Sequence, residues 1–179
     1  MSDFKNEGIS EMTSLFRLNL MFPYAIPPLT TFLICLFLAT LTFQAGRTKR
    51  VNQLFTIFCI LQAMVNLEIL LNSIVASPDI ALAISRFDHL FYVFVIPVGI
   101  HFVLEATGFE YRKIFIRSLY GFSLVMVPFT QTDYYYPGNY GYFFGFFPKG
   151  GPAFMVFGLV GLFATLYTSY VLLRVLKQS

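Results

Sequence analysis

The stretch Arg86–Gly108, RFDHLFYVFVIPVGIHFVLEATG, constrains how the rest of the chain is arranged. Its apolar run is long enough to cross a bilayer, which takes about 20 residues of α-helix. Five of its residues are unsuited to a helix that serves only as an anchor: Asp88, His89, Pro97, His101 and Glu105. Ionisable groups in hydrocarbon cost at least a few kcal/mol each. One side of this helix is therefore expected to face protein or water rather than lipid.

The composition of the whole chain is that of a polytopic membrane protein. Of its 179 residues, 57% are hydrophobic and only 12% are charged, whereas soluble domains average about 25% charged residues. The mean hydropathy is +0.70. The basic residues occur in short clusters between apolar runs, which is not the pattern of a nucleic-acid-binding surface. We expect membrane lipids and other membrane proteins as partners, in a hetero-oligomeric complex, and no nucleic acid.

The order of apolar runs predicts an all-α bundle of five transmembrane helices in a single integral-membrane domain. The segment 1–21 has apolar residues at roughly helical spacing and is predicted to form a short amphipathic helix at the interface. The segment 133–151 is predicted to be an aromatic extracytoplasmic loop. The five predicted spans are 22–44, 51–77, 82–107, 114–132 and 152–173.

The basic residues between the spans predict the orientation. When alternate loops are assigned to opposite sides, eight Lys and Arg residues share one side and four share the other. The side richer in Lys and Arg is normally cytoplasmic. The amino terminus is therefore expected outside and the carboxyl terminus in the cytoplasm, across a bacterial cytoplasmic (inner) membrane.

Polar residues on two sides of the second span predict that this helix lies inside the bundle. At 100° per residue, Glu68 and Asn72 share one face, while Gln62, Asn66 and Ser73 lie nearly opposite. A helix surrounded by lipid could not place polar groups on both sides without a large free-energy cost. We therefore expect protein around the second span.

Glu68 lies at the depth that His89 to Tyr92 occupy in the antiparallel third span. A hydrogen bond from Glu68 to His89 or to Tyr92 is geometrically possible, with Arg86 above it. Two interpretations remain open: a structural clamp between two helices, or a titrating or ligand-binding pair. The candidates for this polar interior are Glu68, Asn72, Asp88, His89, Tyr92, His101 and Glu105.

His101 and Glu105 lie four residues apart on one helix face and can pair with each other. Arg112 or Lys113 could compensate the charge of Glu105. A polar pair at the end of a span is one interpretation, and a relay is the other.

Pro97 has no N–H group, so the backbone carbonyl of Val93 loses its helical hydrogen bond. The third span should therefore kink at this point. The kink is a candidate hinge, although static packing would produce the same sequence.

The segment 133–151, DYYYPGNYGYFFGFFPKGG, has nine aromatic residues between Tyr134 and Phe147. Tyrosine rings favour the headgroup region, so an interfacial hairpin is one interpretation. A lid or a docking surface for a partner is the other. The partner-binding candidates in the loop are Tyr134, Tyr135, Tyr136, Tyr140, Tyr142, Phe143 and Phe144.

In the fifth span, Gly161, Thr165 and Ser169 form a face of small residues suited to close helix contact.

The sequence has no motif that indicates catalysis. It lacks HExxH, metal-binding Cys/His spacing, a Walker loop and a nucleophile elbow. The two histidines lie on one predicted helix, about 120° out of phase, and cannot ligate one haem between two helices. We therefore expect a protein that is not an enzyme, with no cofactor and no metal.

Three segments resemble the seven-helix amino-terminal sensor region of bacterial histidine kinases. They are AGRTKRVNQLF at the end of span one, NLEILLNSI in span two and SRFDHLFYVFVIPVGIHFVLEATG in span three. That family typically has a basic first loop, a glutamate late in span two and a proline in an aromatic third span. A phenylalanine and a Thr-Gly exit follow, and the fifth span opens on Gly-Pro. The matching positions here are Glu68, Pro97, Phe102, Thr107, Gly108, Gly151 and Pro152.

The chain departs from this family in two ways. The sequence ends at Ser179, after about five spans, without the output domain that the family usually carries. The tryptophan common in its second span is also missing. The resemblance therefore implies a non-catalytic module that senses a signal or assembles through protein partners. The alternatives are a structural or accessory subunit of a larger membrane complex and, less favoured, a transporter or proton-relay component that uses Glu68 and His89.

Overall fold

The structure is a computed structural model that describes residues 22–111 and 113–177. It is mostly helical (77%), as the apolar runs predict. The amphipathic helix predicted for 1–21 lies outside the described residues. The helices are α1 (Phe22–Gly46), α2 (Arg50–Ile74), α3 (Pro78–Tyr92), α4 (Val95–Thr107), α5 (Lys113–Phe129) and α6 (Pro152–Leu176).

Four helical segments of the described chain are long and apolar enough to cross a membrane. The membrane-embedded character predicted from composition agrees with this. The predicted fourth span corresponds to α5, which has 17 residues. The four segments are Tyr24–Gly46, Arg50–Ile74, Pro78–Thr107 and Pro152–Leu176.

The third predicted span, 82–107, is two helices rather than one. The Ser77 side chain accepts a bond from the Ile80 N–H, and Pro78 occupies the first turn, where its missing N–H costs nothing. Helix α3 ends at Tyr92 and α4 begins at Val95, so the helix is interrupted for two residues just before Pro97. Gly108 ends α4 in the left-handed region, with φ 64°, the conformation that glycine commonly adopts at the end of a helix.

Helix α2 is only partly enclosed by the chain, because Gln53, Ile57 and Ile60 on one face are exposed. It packs against α1, α3 and α4. Helix α6 packs on the bundle through Phe157, Ala164 and Val171, which recur every seven residues and are all buried. In contrast, only 11% of the most apolar stretch of α1 is buried within the chain, so most of α1 faces outward.

Two buried clusters hold the helices together, one at each end of the bundle. The first contains Val93, Met126, Tyr135, Tyr136 and Phe157. We call its side the hairpin end. The second lies toward the opposite end and contains Ile100, Leu104, Ile116, Ala164 and Val171. Because α5 contributes Met126 to one cluster and Ile116 to the other, this helix runs between the two ends.

The aromatic loop contains an antiparallel pair of strands, β1 (Asn139–Tyr142) and β2 (Gly145–Pro148). The all-α prediction did not include this sheet. The register pairs Tyr140 with Phe147 and Tyr142 with Gly145, so Phe143 and Phe144 form the turn. We call residues 139–148 the aromatic hairpin.

The aromatic hairpin rests on the carboxyl end of α2. Gly145 adopts φ 144°, and a Cβ atom there would come within 2.6 Å of the Asn72 carbonyl oxygen. Only glycine allows this backbone conformation and this close approach. Asn139 adds a hydrogen bond of 2.6 Å to the carbonyl of Pro78, at the start of α3. The hairpin is therefore fixed to two helices at once.

The small-residue face predicted on the last span is only partly used within the chain. A Cβ atom on Gly161 would lie 3.3 Å from Ile96 Cδ1, so this glycine permits close contact with α4. Thr165 and Ser169 are exposed. These two residues remain available for contacts outside the chain.

Candidate functional site: a buried acidic and aromatic cluster

Three ionisable side chains meet between α2 and α3 near the hairpin end. One ligand atom from each of Glu68, Asp88 and His89 lies within 4.8 Å of the other two. The three residues are only 7%, 4% and 5% exposed. Such groups rarely occur together inside an apolar bundle, because each isolated charge costs several kcal/mol to bury. We call these three residues the buried cluster.

Asn72 links the two helices at this cluster. Its Nδ2 atom donates to Glu68 Oε1 at 3.3 Å, one helical turn away, as the shared face predicts. The same nitrogen donates to the Ser85 hydroxyl of α3 at 2.9 Å. Asn72 is 2% exposed and Ser85 is fully buried, so both contacts are shielded from solvent.

Both ring nitrogens of His89 are engaged. Nδ1 lies 2.9 Å from the backbone carbonyl of Ser85, which can only accept, so Nδ1 carries the proton. Nε2 lies 2.6 Å from the Tyr136 hydroxyl, which we assign as its donor. His89 is then a neutral imidazole with both hydrogen-bonding positions satisfied.

The predicted pairing of Glu68 with His89 or Tyr92 is realised only as proximity. Glu68 Oε2 lies 3.9 Å from His89 Nδ1, which is too long for a hydrogen bond. The ring of Tyr92 packs against that of His89 with centroids 4.6 Å apart. Glu68 instead accepts a hydrogen bond from Asn72, and His89 accepts one from Tyr136 and donates one to the Ser85 carbonyl.

The buried cluster has the residue types of a cation site, although the sequence predicted no metal. Asp88 Oδ2 has no hydrogen-bond partner among the described residues. His89, however, could ligate a metal only by giving up its bond to Ser85 or to Tyr136. The remaining candidate ligands are the carboxyl groups of Glu68 and Asp88, which lie on different helices.

Two tyrosines of the loop belong to the bundle interior. Tyr135 is fully buried and Tyr136 is 2% exposed, so the prediction that they bind a partner does not fit their position. Burial raises the pKa of the Tyr136 phenol far above its usual value. Burial raises the pKa of Tyr135 in the same way. The Tyr135 hydroxyl has no partner among the described residues.

The other predicted loop aromatics lie on the surface. Phe144 is half-buried and stacks on Tyr142, with centroids 5.3 Å apart, and on Tyr24 of α1, at 5.0 Å. The exposed rings are Tyr134 (69%), Tyr140 (53%), Tyr142 (49%) and Phe143 (60%).

Arg86 joins α3 to the chain that follows α5. Its guanidinium lies 2.5 Å from Asp133 Oδ1 and donates to the Tyr136 carbonyl at 2.8 Å. The Gln131 side chain donates to the Arg86 carbonyl at 2.7 Å. These contacts hold the segment that places Tyr136 against His89.

A second polar group lies at the opposite end of the bundle. Arg50 lies 3.0 Å from His101 Nε2 and 3.4 Å from Glu105. Tyr111 donates to Glu105 at 2.7 Å, and this bond raises the pKa of the Tyr111 phenol. His101 Nε2 lies 3.6 Å from Glu105, too far for a hydrogen bond, and it accepts from Arg50 instead, so the two residues of the predicted pair are neighbours without a direct hydrogen bond. The charge of Glu105 is compensated by Arg50 rather than by Lys113, as had been predicted. The other predicted partner, Arg112, lies outside the described residues.

The break at Pro97 is filled from a neighbouring helix. The Ser123 hydroxyl of α5 donates to the Val93 carbonyl at 2.6 Å, the acceptor that Pro97 leaves free. Ser123 is 1% exposed. The Val93 carbonyl therefore lacks its backbone hydrogen bond, as predicted, and accepts one from a side chain instead.

Sequence reasoning missed Ser85, Ser123, Arg50 and the partnership of Tyr136 with His89. Ser85 could have been found, because it lies four residues before His89 on the same helix face. Ser123 could have been sought as a donor for the carbonyl freed by Pro97. The Tyr136 and Arg50 contacts have no local signal, since each joins segments about 50 residues apart.

Comparisons of this chain with family models, curated proteins and solved structures find no match.

Proposed function

We propose that this chain is a non-catalytic, multi-pass membrane module that acts through other membrane proteins, as a sensor-like or assembly module. The observation that carries this proposal is the link between an exposed aromatic surface and the buried cluster. Tyr140, Tyr142 and Phe143 point outward from the aromatic hairpin. The hairpin backbone at Gly145 rests on Asn72, whose side chain bonds Glu68. A partner at the surface and a change inside the bundle can therefore affect each other.

Five spans, with the amino terminus outside and the carboxyl terminus in the cytoplasm of a bacterial inner membrane, are part of this proposal. Helix α5 has 17 residues, about 25 Å at 1.5 Å per residue, against a hydrocarbon core of about 30 Å. Its contacts reach both ends of the bundle, which supports a fifth crossing. The distribution of Lys and Arg, eight against four, supports the orientation.

Site-specific photo-crosslinking in native membranes tests the partner role. A photoreactive residue at Phe143 should yield a discrete cross-linked protein product. The matched control is Phe163 on the outward face of α6, since the two side chains are 60% and 61% exposed. Cross-linking to lipid alone from Phe143, with no protein product, would contradict a docking role for the hairpin.

The second candidate is a structural or accessory subunit of a larger complex. The exposed length of α1 favours it, because Leu33, Phe37 and Leu41 are 55%, 63% and 46% exposed. Such faces suit either lipid or a neighbouring helix. Purification in mild detergent separates the two functions. A stoichiometric complex supports the subunit, whereas a solitary chain that binds a small ligand supports the sensor.

A transporter or proton-relay role has weaker support. Glu68 and His89 are near neighbours, but His89 and His101 are twelve residues apart, about 18 Å along a helix. A relay predicts that Glu68→Gln alters the pH response of the function without loss of assembly. An unchanged response between about pH 5 and 8, where histidine normally titrates, would reject it.

A further inference from the structure

A groove of about 660 Å³ runs between α1 and α2 toward the turn that joins these helices. Its walls are apolar side chains of both helices: Leu36, Ala39 and Phe43 of α1 and Ile57 and Ile60 of α2. Phe43 and Ile57 are 50% and 46% exposed, so the groove is open along the outer surface of the bundle. Its volume falls within the range of about 300–1,000 Å³ for small-molecule sites.

The groove ends at the turn between α1 and α2. Gln44 and Gln53 line it where α1 ends and α2 begins. The Gln53 side chain donates to the Arg47 carbonyl at 2.8 Å, so the groove and the turn are in direct contact. From Leu36 to Gln44 the helix rises about 12 Å at 1.5 Å per residue. An occupant would therefore meet hydrocarbon along this length and polar groups at the turn.

The turn next to the groove carries uncompensated positive charge. Arg47 and Lys49 are exposed, and neither forms an ion pair with any residue of 22–111 or 113–177. Arg50, in contrast, pairs with Glu105 at 3.4 Å. Helix α1 has no acidic residue, and the single acidic residue of α2 is Glu68, about 27 Å along the helix from Arg50. An anion at this turn would therefore meet two free cations.

We propose that the groove holds an acyl chain of an anionic phospholipid, with the headgroup phosphate at Arg47 and Lys49. The apolar walls match the chain, and the charge of the turn matches the headgroup. Basic pockets between transmembrane helices bind anionic lipid headgroups in other membrane proteins. Each Lys or Arg near the headgroups contributes roughly a fivefold factor in affinity. This inference does not depend on the partner role of the aromatic hairpin.

Tryptophan fluorescence of the full chain in vesicles tests the proposal. The chain has no tryptophan, so one introduced residue reports its own lipid contacts. Phe43→Trp places the probe in the groove. Leu41→Trp is the matched control, since Leu41 lies at nearly the same depth outside the groove lining and is 46% exposed. The vesicles contain phosphatidylcholine and phosphatidylglycerol, and one of the two lipids carries brominated acyl chains that quench tryptophan on contact.

The quenching gives the relative affinity of the two lipids at each position. At Phe43→Trp, phosphatidylglycerol should bind at least about fivefold more tightly than phosphatidylcholine. At Leu41→Trp the two lipids should differ by less than about twofold. An equal preference at both positions would show a general enrichment of anionic lipid and would overturn the proposal. Weak quenching at Phe43→Trp by both lipids would also overturn it, because another helix would then cover the groove.

Neutral variants of the turn test the headgroup contact. In the Phe43→Trp chain, Arg47→Gln with Lys49→Gln should abolish the preference for phosphatidylglycerol. Lys113→Gln with Arg117→Gln removes the same charge from exposed positions at the start of α5 and should preserve it. If the neutralised turn prevents folding, salt provides the second test, because screening should weaken the preference between about 0.01 and 1 M. A preference that survives neutralisation in a folded chain, or that is independent of salt, would overturn the proposal.

Discussion

The Ser123 hydroxyl donates a hydrogen bond of 2.6 Å to the backbone carbonyl of Val93. Pro97 leaves that carbonyl without its helical donor, and the α3–α4 break falls at the same place. The carbonyl left free at the break between α3 and α4 is thus satisfied by a side chain of α5. This hydrogen bond ties the interrupted helix to α5.

Ser123→Ala should destabilise the chain by about 1–3 kcal/mol, because it leaves a buried carbonyl without a partner. Unfolding monitored by circular dichroism in mixed detergent measures the effect. Ser118→Ala is the matched control, since Ser118 is an exposed residue of α5 that bonds only within its helix. The double variant Ser123→Ala with Pro97→Ala should lose less stability than the sum of the two single changes. Simple additivity would contradict the pairing.

The two buried tyrosines should respond differently to loss of their hydroxyl groups. Tyr136→Phe removes the donor to His89 Nε2 and should cost about 1–3 kcal/mol of stability. Tyr135→Phe removes a buried hydroxyl that has no partner among the described residues, so stability should be unchanged or increased. Thermal unfolding of both variants under one detergent condition makes the comparison. A larger loss for Tyr135→Phe would argue against the contacts described here.

Stability should fall at alkaline pH. Burial raises the pKa of Tyr135 and Tyr136 in the folded state, whereas an unfolded tyrosine titrates near 10. Above about pH 10 the unfolded chain therefore binds fewer protons than the folded chain, and stability decreases as pH rises. Each buried tyrosine contributes a slope of up to about 1.4 kcal/mol per pH unit. Replacing both by Phe should flatten the curve, while Tyr134→Phe, at an exposed position, should not.

Gly145→Ala should displace the aromatic hairpin from α2. The substitution forces a Cβ atom against the backbone of Asn72 and Ser73 at φ 144°, with an expected cost above about 1 kcal/mol. Gly138→Ala is the control, because a Cβ atom there meets nothing within 4 Å. Limited proteolysis of the loop reports the displacement. Equal protection of both variants would show that the hairpin does not rest on α2.

The helices could be predicted from sequence because hydrophobic runs, prolines and glycines act locally. Helix α2 was predicted over 51–77 and runs over Arg50–Ile74, and the Glu68–Asn72 face follows from helical periodicity alone. The contact between Tyr136 and His89 could not be predicted in the same way. It depends on the rotation of α3 and on a loop that folds back across 47 residues, and neither is encoded by any local pattern.

Spectroscopy of His89 tests most directly whether the loop and the buried cluster form one unit. Magnetic resonance of isotope-labelled histidine in lipid nanodiscs distinguishes a protonated ring nitrogen from an accepting one. The structure predicts a neutral His89 with Nδ1 protonated, and an Nε2 signal that shifts in Tyr136→Phe but not in Tyr134→Phe. An Nε2 signal that is unchanged by Tyr136→Phe, or a His89 ring protonated on Nε2, would contradict this arrangement.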